Sequence, residues 1–201
     1  MACDDLVIFV HGLMATAGAF SPAIRHLRDE LDVDVHTFTF RPGSDLDSIA
    51  RKIDQAVRAH PLASRVHLVG HSLGGLAARW YVQEHPHDPR VVQTISIASP
   101  FCGIDLADAF PDVLRSLILP TASQLTRLVD EAPHHLARVP HQSIVADKDQ
   151  LIRPITAGIL PGAPSYVLHD TGHNGALFHR RIYDVIVREV SKFGPGDELG
   201  G

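Results

Sequence analysis

The sequence has few of the features by which proteins bind metal or nucleic acid. It contains only two cysteines in 201 residues, Cys3 and Cys102, and neither has the spacing of a metal ligand, so we expect two free thiols. The fourteen histidines form no HExxH or comparable pattern, and we expect no metal. A formal charge of −5 provides no basic surface, which argues against nucleic acid as a partner.

Long hydrophobic runs are also missing. The amino terminus, "MACDDLVIFV", has acids in place of Lys or Arg before a short apolar run. That run is too brief for a membrane span or for the core of a signal peptide. We expect a cytoplasmic protein as the sequence stands, although a mature form whose leader has been removed would look similar. The sequence does not indicate an oligomeric state.

The composition is that of a soluble globular protein, with 45% hydrophobic and 20% charged residues. A chain of 201 residues is long enough for one substantial core. We expect a single domain over residues 1–193. The remaining residues 194–201, "GPGDELGG", are too poor in apolar side chains to pack, and we expect a disordered tail.

Short strand-like runs alternate with segments of helical period. Between them, Leu46, Ile49 and Ile53 recur at helical spacing, and Ser21 and Ser44 stand where helices are expected to begin. This alternation predicts an α/β protein, a three-layer α/β/α sandwich with about six mostly parallel strands. The runs are "LVIFV" (6–10), "VDVHTFTF" (33–40), "VHLVG" (66–70), "VVQTISIAS" (91–99), "QSIVA" (142–146) and "SYVLH" (165–169).

Residues 101–140 interrupt this alternation. An apolar group from Leu106 to Leu119 is broken by Pro111, and a candidate helix, "TASQLTRLVDEA", follows it. Such a segment is either an ordinary crossover packed on the sheet or a lid over a site at the strand ends.

One serine stands at a strand-to-helix junction. In "HLVGHSLGG", Ser72 follows a strand-like run, precedes helix formers and is flanked by Gly70 and Gly74. This order matches the G-x-S-x-G elbow, in which a sharp turn lifts a nucleophilic serine clear of the sheet. The glycines would allow strand and helix to approach closely. The alternative is a glycine-rich turn with an incidental serine.

A nucleophilic serine also needs donors for the oxyanion that its attack creates. The loop after the first strand, "HGLMATAG", and the residue after the serine place two amides suitably, those of Leu13 and Leu73. With this HG loop ahead of G-x-S-x-G, the sequence resembles the α/β-hydrolase superfamily, and in particular small bacterial serine lipases and esterases. The resemblance implies a minimal α/β-hydrolase fold and places the oxyanion donor at Leu13, with Met14 as the weaker alternative. His11 we interpret as a loop-anchoring hydrogen-bond residue.

The same resemblance implies an acid and a histidine later in the chain. In "SIVADKDQLIRP" it favours Asp149 as the acid over Asp147. In "LHDTGHNGALF" it favours His173 as the base, because His173 lies in a loop before the last helix. His169 still belongs to the strand pattern, and we expect it to be structural.

These residues imply an enzyme, a carboxylic ester hydrolase of lipase or esterase type that forms an acyl-enzyme. Its chemistry would need only proton transfer and oriented dipoles, so we expect no cofactor. The expected partner is a small ester or a lipid, with transient contact at a lipid surface. A thioesterase or acyltransferase could use the same residues, and a non-catalytic binding protein could share the fold.

Overall fold

A computed structural model describes residues 4–13, 15–85, 87–103 and 120–193. In these ranges the chain forms six strands, six α-helices and three short 3-10 segments. The strands are β1 (Asp5–Val10), β2 (Asp34–Phe38), β3 (Arg65–His71), β4 (Val91–Ile97), β5 (His141–Ala146) and β6 (Ser165–Leu168). The α-helices are α1 (Ser21–Glu30), α2 (Leu46–Arg58), α3 (Leu73–Glu84), α4 (Ala122–Asp130), α5 (Ala132–Leu136) and α6 (Arg180–Ser191).

All six strands belong to one parallel sheet in the order β2-β1-β3-β4-β5-β6, which confirms the predicted sheet. The carboxyl ends of parallel strands lie at one edge of the sheet. Within the sheet, β2 lies on one side of β1 and β3 lies on the other, so the direction in which strands are added reverses after β2. The reversal leaves a crevice at the carboxyl ends of β1 and β3, where α/β proteins usually bind their ligands.

Helices cover both faces of the sheet, as the sequence predicts. On β1, Leu6, Ile8 and Val10 face one core and Val7 and Phe9 face the other, and all five are fully buried. The first core includes side chains of α2, α3, α4 and α5, and the second includes side chains of α1 and α6. Burial on both faces explains why β1 is a continuous apolar run.

Two predicted helix starts are shifted by one residue. Asp45, and not Ser44, caps α2, because its carboxylate accepts a hydrogen bond from the Ser48 amide at 2.7 Å. Ser21 is already the first residue of α1, so Pro22 occupies the second position, and the Ser21 hydroxyl donates to the Gly18 carbonyl at 2.8 Å.

The predicted helix after residue 120 is confirmed as α4, which begins with a capping box between Thr121 and Gln124. The apolar group from Leu106 to Leu119, on which the lid interpretation depends, lies outside the described residues, as do the tail 194–201 and Cys3. Cys102 is an exposed free thiol. In the described ranges, no helix combines the length and hydrophobicity of a membrane span.

Candidate active site

Ser72 occupies a strained turn between β3 and α3. Its backbone has φ 53° and ψ −121°, in a region that non-glycine residues rarely adopt. The turn requires glycines on both sides, as predicted from the sequence. A Cβ added to Gly70 would lie 2.3 Å from the Gly75 nitrogen, and one added to Gly74 would lie 2.1 Å from the Val10 carbonyl oxygen. The close approach of strand and helix therefore depends on the missing side chains.

A histidine lies within hydrogen-bond distance of this serine. The distance from Ser72 Oγ to His173 Nε2 is 3.1 Å, and from His173 Nδ1 to Asp149 Oδ2 it is 2.8 Å. A carboxylate can only accept, so Nδ1 carries the proton and Nε2 is free to accept from the serine hydroxyl. The side chains of His173 and Asp149 are 9% and 2% exposed, so the pair is shielded from water.

Asp149 is fixed by its own loop. Its Oδ1 accepts the backbone amides of Leu151 at 2.8 Å and of Ile152 at 3.0 Å. Burial alone would raise the pKa of Asp149, but the hydrogen bond and charge of His173, together with these two amides, lower it below the ordinary value. The group is therefore a carboxylate at neutral pH. Sequence reasoning did not identify the two amides, because they depend on how the loop folds.

The alternative acid and base pair with each other. Asp147 Oδ2 lies 3.1 Å from His169 Nδ1, and the His169 side chain is 68% exposed. A third histidine after the last strand, His179, accepts the Arg181 amide at the start of α6. The structure thus brings Asp149 and His173 to Ser72, and it gives Asp147, His169 and His179 other partners.

The two predicted oxyanion donors flank the serine. Leu73 is the first residue of α3, so its amide has no acceptor within the helix, and the positive end of the helix dipole lies there. Leu13 follows β1, and no acceptor for its amide is found among the described residues. The loop lies against the elbow, since a Cβ on Gly12 would come within 3.0 Å of Ser72 Cβ. Met14 lies outside the described residues.

His11 anchors this loop, as predicted. Its Nδ1 donates to the Gly12 carbonyl at 2.7 Å, its Nε2 accepts the Phe40 amide at 3.2 Å, and its ring stacks on Phe40 at 4.0 Å. Burial lowers the pKa of His11, so the ring is neutral at neutral pH and can accept at Nε2. The histidine therefore orients the loop through hydrogen bonds to its backbone.

In the described part of the chain, no three side chains among His, Cys, Asp and Glu converge as metal ligands. The arrangement at Ser72 consists of a hydroxyl, an imidazole, a carboxylate and free amides. These groups can move a proton and stabilise an oxygen anion.

Similar proteins share this fold. The product of the Listeria innocua gene lin2722 has a TM-score of 0.72 at 16% identity, with 96% of each chain covered. The mature Bacillus licheniformis lipase BlEst2 has a TM-score of 0.76 at 15% identity, with 94% of this chain and 92% of that chain covered. A metagenomic carboxyl esterase, MGS0156, has a TM-score of 0.70 at 19% identity, with 96% and 77% covered. No curated protein matches the sequence.

A family model identifies the chain more closely. The model for palmitoyl protein thioesterase matches residues 6–144, about two thirds of the sequence. The match includes the HG loop with Leu13 and the elbow with Ser72, and it ends before Asp149 and His173. Together with the six-stranded parallel sheet, it shows that the chain is an α/β-hydrolase and belongs to the palmitoyl protein thioesterase family.

Proposed function

We propose that the protein is a serine hydrolase that cleaves carboxylic esters through an acyl-enzyme intermediate. Ser72 is the nucleophile, His173 the general base and acid, and Asp149 the group that orients His173. The observation that carries the proposal is the continuous chain of contacts from Ser72 Oγ to His173 Nε2 at 3.1 Å and from Nδ1 to Asp149 at 2.8 Å. A non-catalytic binding protein would have no need of this chain.

The proposed reaction has two steps with one acyl transfer in each. His173 Nε2 takes the hydroxyl proton of Ser72 as Oγ attacks the acyl carbon, and the amides of Leu13 and Leu73 stabilise the resulting oxyanion. His173 then gives the proton to the departing alkoxide. Water, deprotonated by the same nitrogen, attacks the acyl-enzyme, and Ser72 recovers its proton as the acid product leaves.

Thioester hydrolysis is the second candidate, and the match to the palmitoyl protein thioesterase model favours it. The same groups would act on a thioester, except that the departing thiolate needs less help from His173 because thiols are more acidic than alcohols. For long acyl chains, both candidates include transient contact with a lipid surface, where the substrate would be presented.

The first experiment compares oxyesters with thioesters at matched acyl chain lengths. Short-chain and long-chain p-nitrophenyl esters are assayed beside acyl thioesters of the same chain lengths. Preference for the oxyesters would support the ester hydrolase, and preference for the thioesters would support the second candidate. A rise in rate above the solubility limit of the long-chain ester is expected if the enzyme acts at a lipid surface.

The second experiment tests the nucleophile. A fluorophosphonate probe should label the wild-type protein and should leave Ser72→Ala unlabelled, while kcat of Ser72→Ala should fall by about 10⁴-fold or more. The folded state should survive, because Ser72 is not a core residue. Equal labelling of both proteins would show that Ser72 is not the nucleophile.

A further inference from the structure

His71 lies directly before the nucleophile and contacts the loop that carries the base. It is the last residue of β3 and is 2% exposed. Its ring centre lies 5.0 Å from that of His173, and its Nε2 lies 3.2 Å from the backbone carbonyl oxygen of His173. A carbonyl only accepts, so His71 Nε2 must carry a proton and donate it.

This hydrogen bond holds the backbone of the base residue itself. No backbone donor to the His173 carbonyl is found elsewhere in the described residues. Elsewhere in the loop that carries His173, the Lys148 amide donates to the Thr171 carbonyl and the Ala176 amide donates to the Gly172 carbonyl, while Asp149 holds the side chain of His173. The contact from His71 therefore fixes the loop at the one residue whose position determines the distance to Ser72.

The other nitrogen of His71 faces the oxyanion loop. Nδ1 is buried without a hydrogen-bond partner in the described part of the chain, and a Cβ on Gly12 would come within 2.9 Å of it. One imidazole thus lies between the loop of Leu13 and the loop of His173. The position of this ring therefore links the placement of both loops to the turn at Ser72.

The ring is suited to this place because it stays uncharged. Burial, and next the neighbouring His173, lower the pKa of His71 to about 3. A second cation here would repel the imidazolium that forms on His173 during the reaction. A neutral donor supplies the hydrogen bond without that repulsion.

We propose that His71 is a positioning residue for the reaction, whose Nε2–H fixes the His173 carbonyl and so keeps the base within reach of Ser72. The inference rests on the proposed function of Ser72 and His173. Because a displacement of about 1 Å at a reacting group costs about 100-fold in rate, a loop held less firmly lowers kcat while substrate binding remains intact.

The test compares two substitutions of similar size. His71→Gln retains a neutral N–H that can reach the His173 carbonyl, whereas His71→Met has no donor. We expect kcat for a p-nitrophenyl ester to fall by about 100-fold in His71→Met with KM little changed, and to recover largely in His71→Gln. The rate of fluorophosphonate labelling at Ser72 should follow kcat, and the melting temperature of each variant is measured in parallel.

Two results would overturn the proposal. Full kcat in His71→Met would show that the donor is not needed. Equal losses in both variants, accompanied by lower melting temperatures, would show that the ring acts only by packing. Ser72→Ala is the control for the proposed function. If the probe does not label the wild-type protein, both proposals fail. If the probe labels the wild-type protein and not Ser72→Ala, the proposed function stands and the two variants test only the role of His71.

Discussion

Two aspartates only two residues apart have different environments. Asp149 is 4% exposed and accepts two backbone amides and the imidazole of His173. Asp147 faces solvent and pairs with the exposed His169. The buried carboxylate has a fixed direction and a lowered pKa, so it can hold one tautomer of His173. The exposed pair is of a kind that contributes little to stability.

This contrast predicts the effect of removing each charge. Asp149→Asn should lower kcat by about 10⁴-fold, because an amide can donate to His173 Nδ1 and so favour the tautomer that cannot accept from Ser72. Asp147→Asn is the matched control and should change kcat little. Steady-state kinetics with one p-nitrophenyl ester measure both. A more severe loss in Asp147→Asn would show that the acid is wrongly assigned, although the role of Ser72 would stand.

Single residues at the site differ in how well the sequence predicts them. The glycines around Ser72 indicate its turn, since only small residues fit between strand and helix. Spacing alone leaves Asp147 and Asp149 as alternatives, because both follow β5 and the difference between them arises from burial and from amides placed by the folded loop. The contact of His71 with His173 joins residues 102 positions apart, and no local pattern predicts it.

At the scale of elements, β1, β3 and α3 approach one another so closely that their junction has no room for side chains at its glycines. A Cβ atom added at Gly70, Gly74 or Gly75 would lie only 2.0 to 2.3 Å from the nearest atom of another residue. At Gly75 the obstacle is the buried Ser99 hydroxyl on the loop after β4. The elbow is thus held from both adjacent strands, and movement of α3 would displace Ser72.

Substitution at this junction should therefore damage folding. In Gly74→Ala the new methyl would meet the Val10 carbonyl oxygen at 2.1 Å, and backbone cannot move aside as a side chain can. We expect the free energy of unfolding to fall by about 3 kcal/mol. Gly18→Ala is the control, because its nearest neighbour, Thr16 Oγ1, would lie at an ordinary 3.5 Å. Urea unfolding of both variants measures the difference, and an unchanged midpoint in Gly74→Ala would contradict the tight junction.

The period of apolar residues predicts most elements but not their ends. The predicted strand over 33–40 is shorter in the structure, Asp34–Phe38, because β2 is an edge strand whose pairing ends where Val10 ends β1. The apolar stripe of "ALFHRRIYDVIVREVSKF" (176–193) predicts a last helix from residue 176, but the helix begins only at Arg180, after the 3-10 segment Gly175–Phe178. Ends depend on which neighbouring acceptor captures a free amide, and sequence periodicity carries no such information.

Across the whole molecule, several histidines serve as buried hydrogen-bonding residues. His67 contacts Asp5 at 2.9 Å and Gln93 at 2.8 Å across the sheet. His141 on β5 contacts Thr94 at 2.7 Å and Ser96 at 3.0 Å on β4. The high histidine content therefore includes a structural part, in which a buried ring joins strands inside the core. Burial of such rings makes the free energy of unfolding depend on pH.

The direction of this pH dependence follows from the pKa shifts. The pKa of His71 is lowered to about 3, and burial, with Arg79 nearby, lowers the pKa of His141 well below its ordinary value of 6.5. Between pH 6.5 and about 4 the unfolded chain protonates the His71 ring and the folded chain does not. The unfolded state binds more protons, so the free energy of unfolding falls as the pH falls, by about 1.4 kcal/mol per pH unit for His71 alone, and His141 adds to the loss in the same direction.

We therefore expect urea unfolding to show a steady loss of stability from pH 6.5 to pH 4.5. In His71→Gln one of the two rings is absent, so the slope over this range should decrease by about 1.4 kcal/mol per pH unit relative to wild type. Comparing slopes within the pair cancels the contributions of other titrating groups, including Asp5, whose pKa of about 2 adds a further loss only below pH 4. Identical slopes would mean that His71 is protonated equally in the folded and unfolded chains, and so that it is not neutral beside His173.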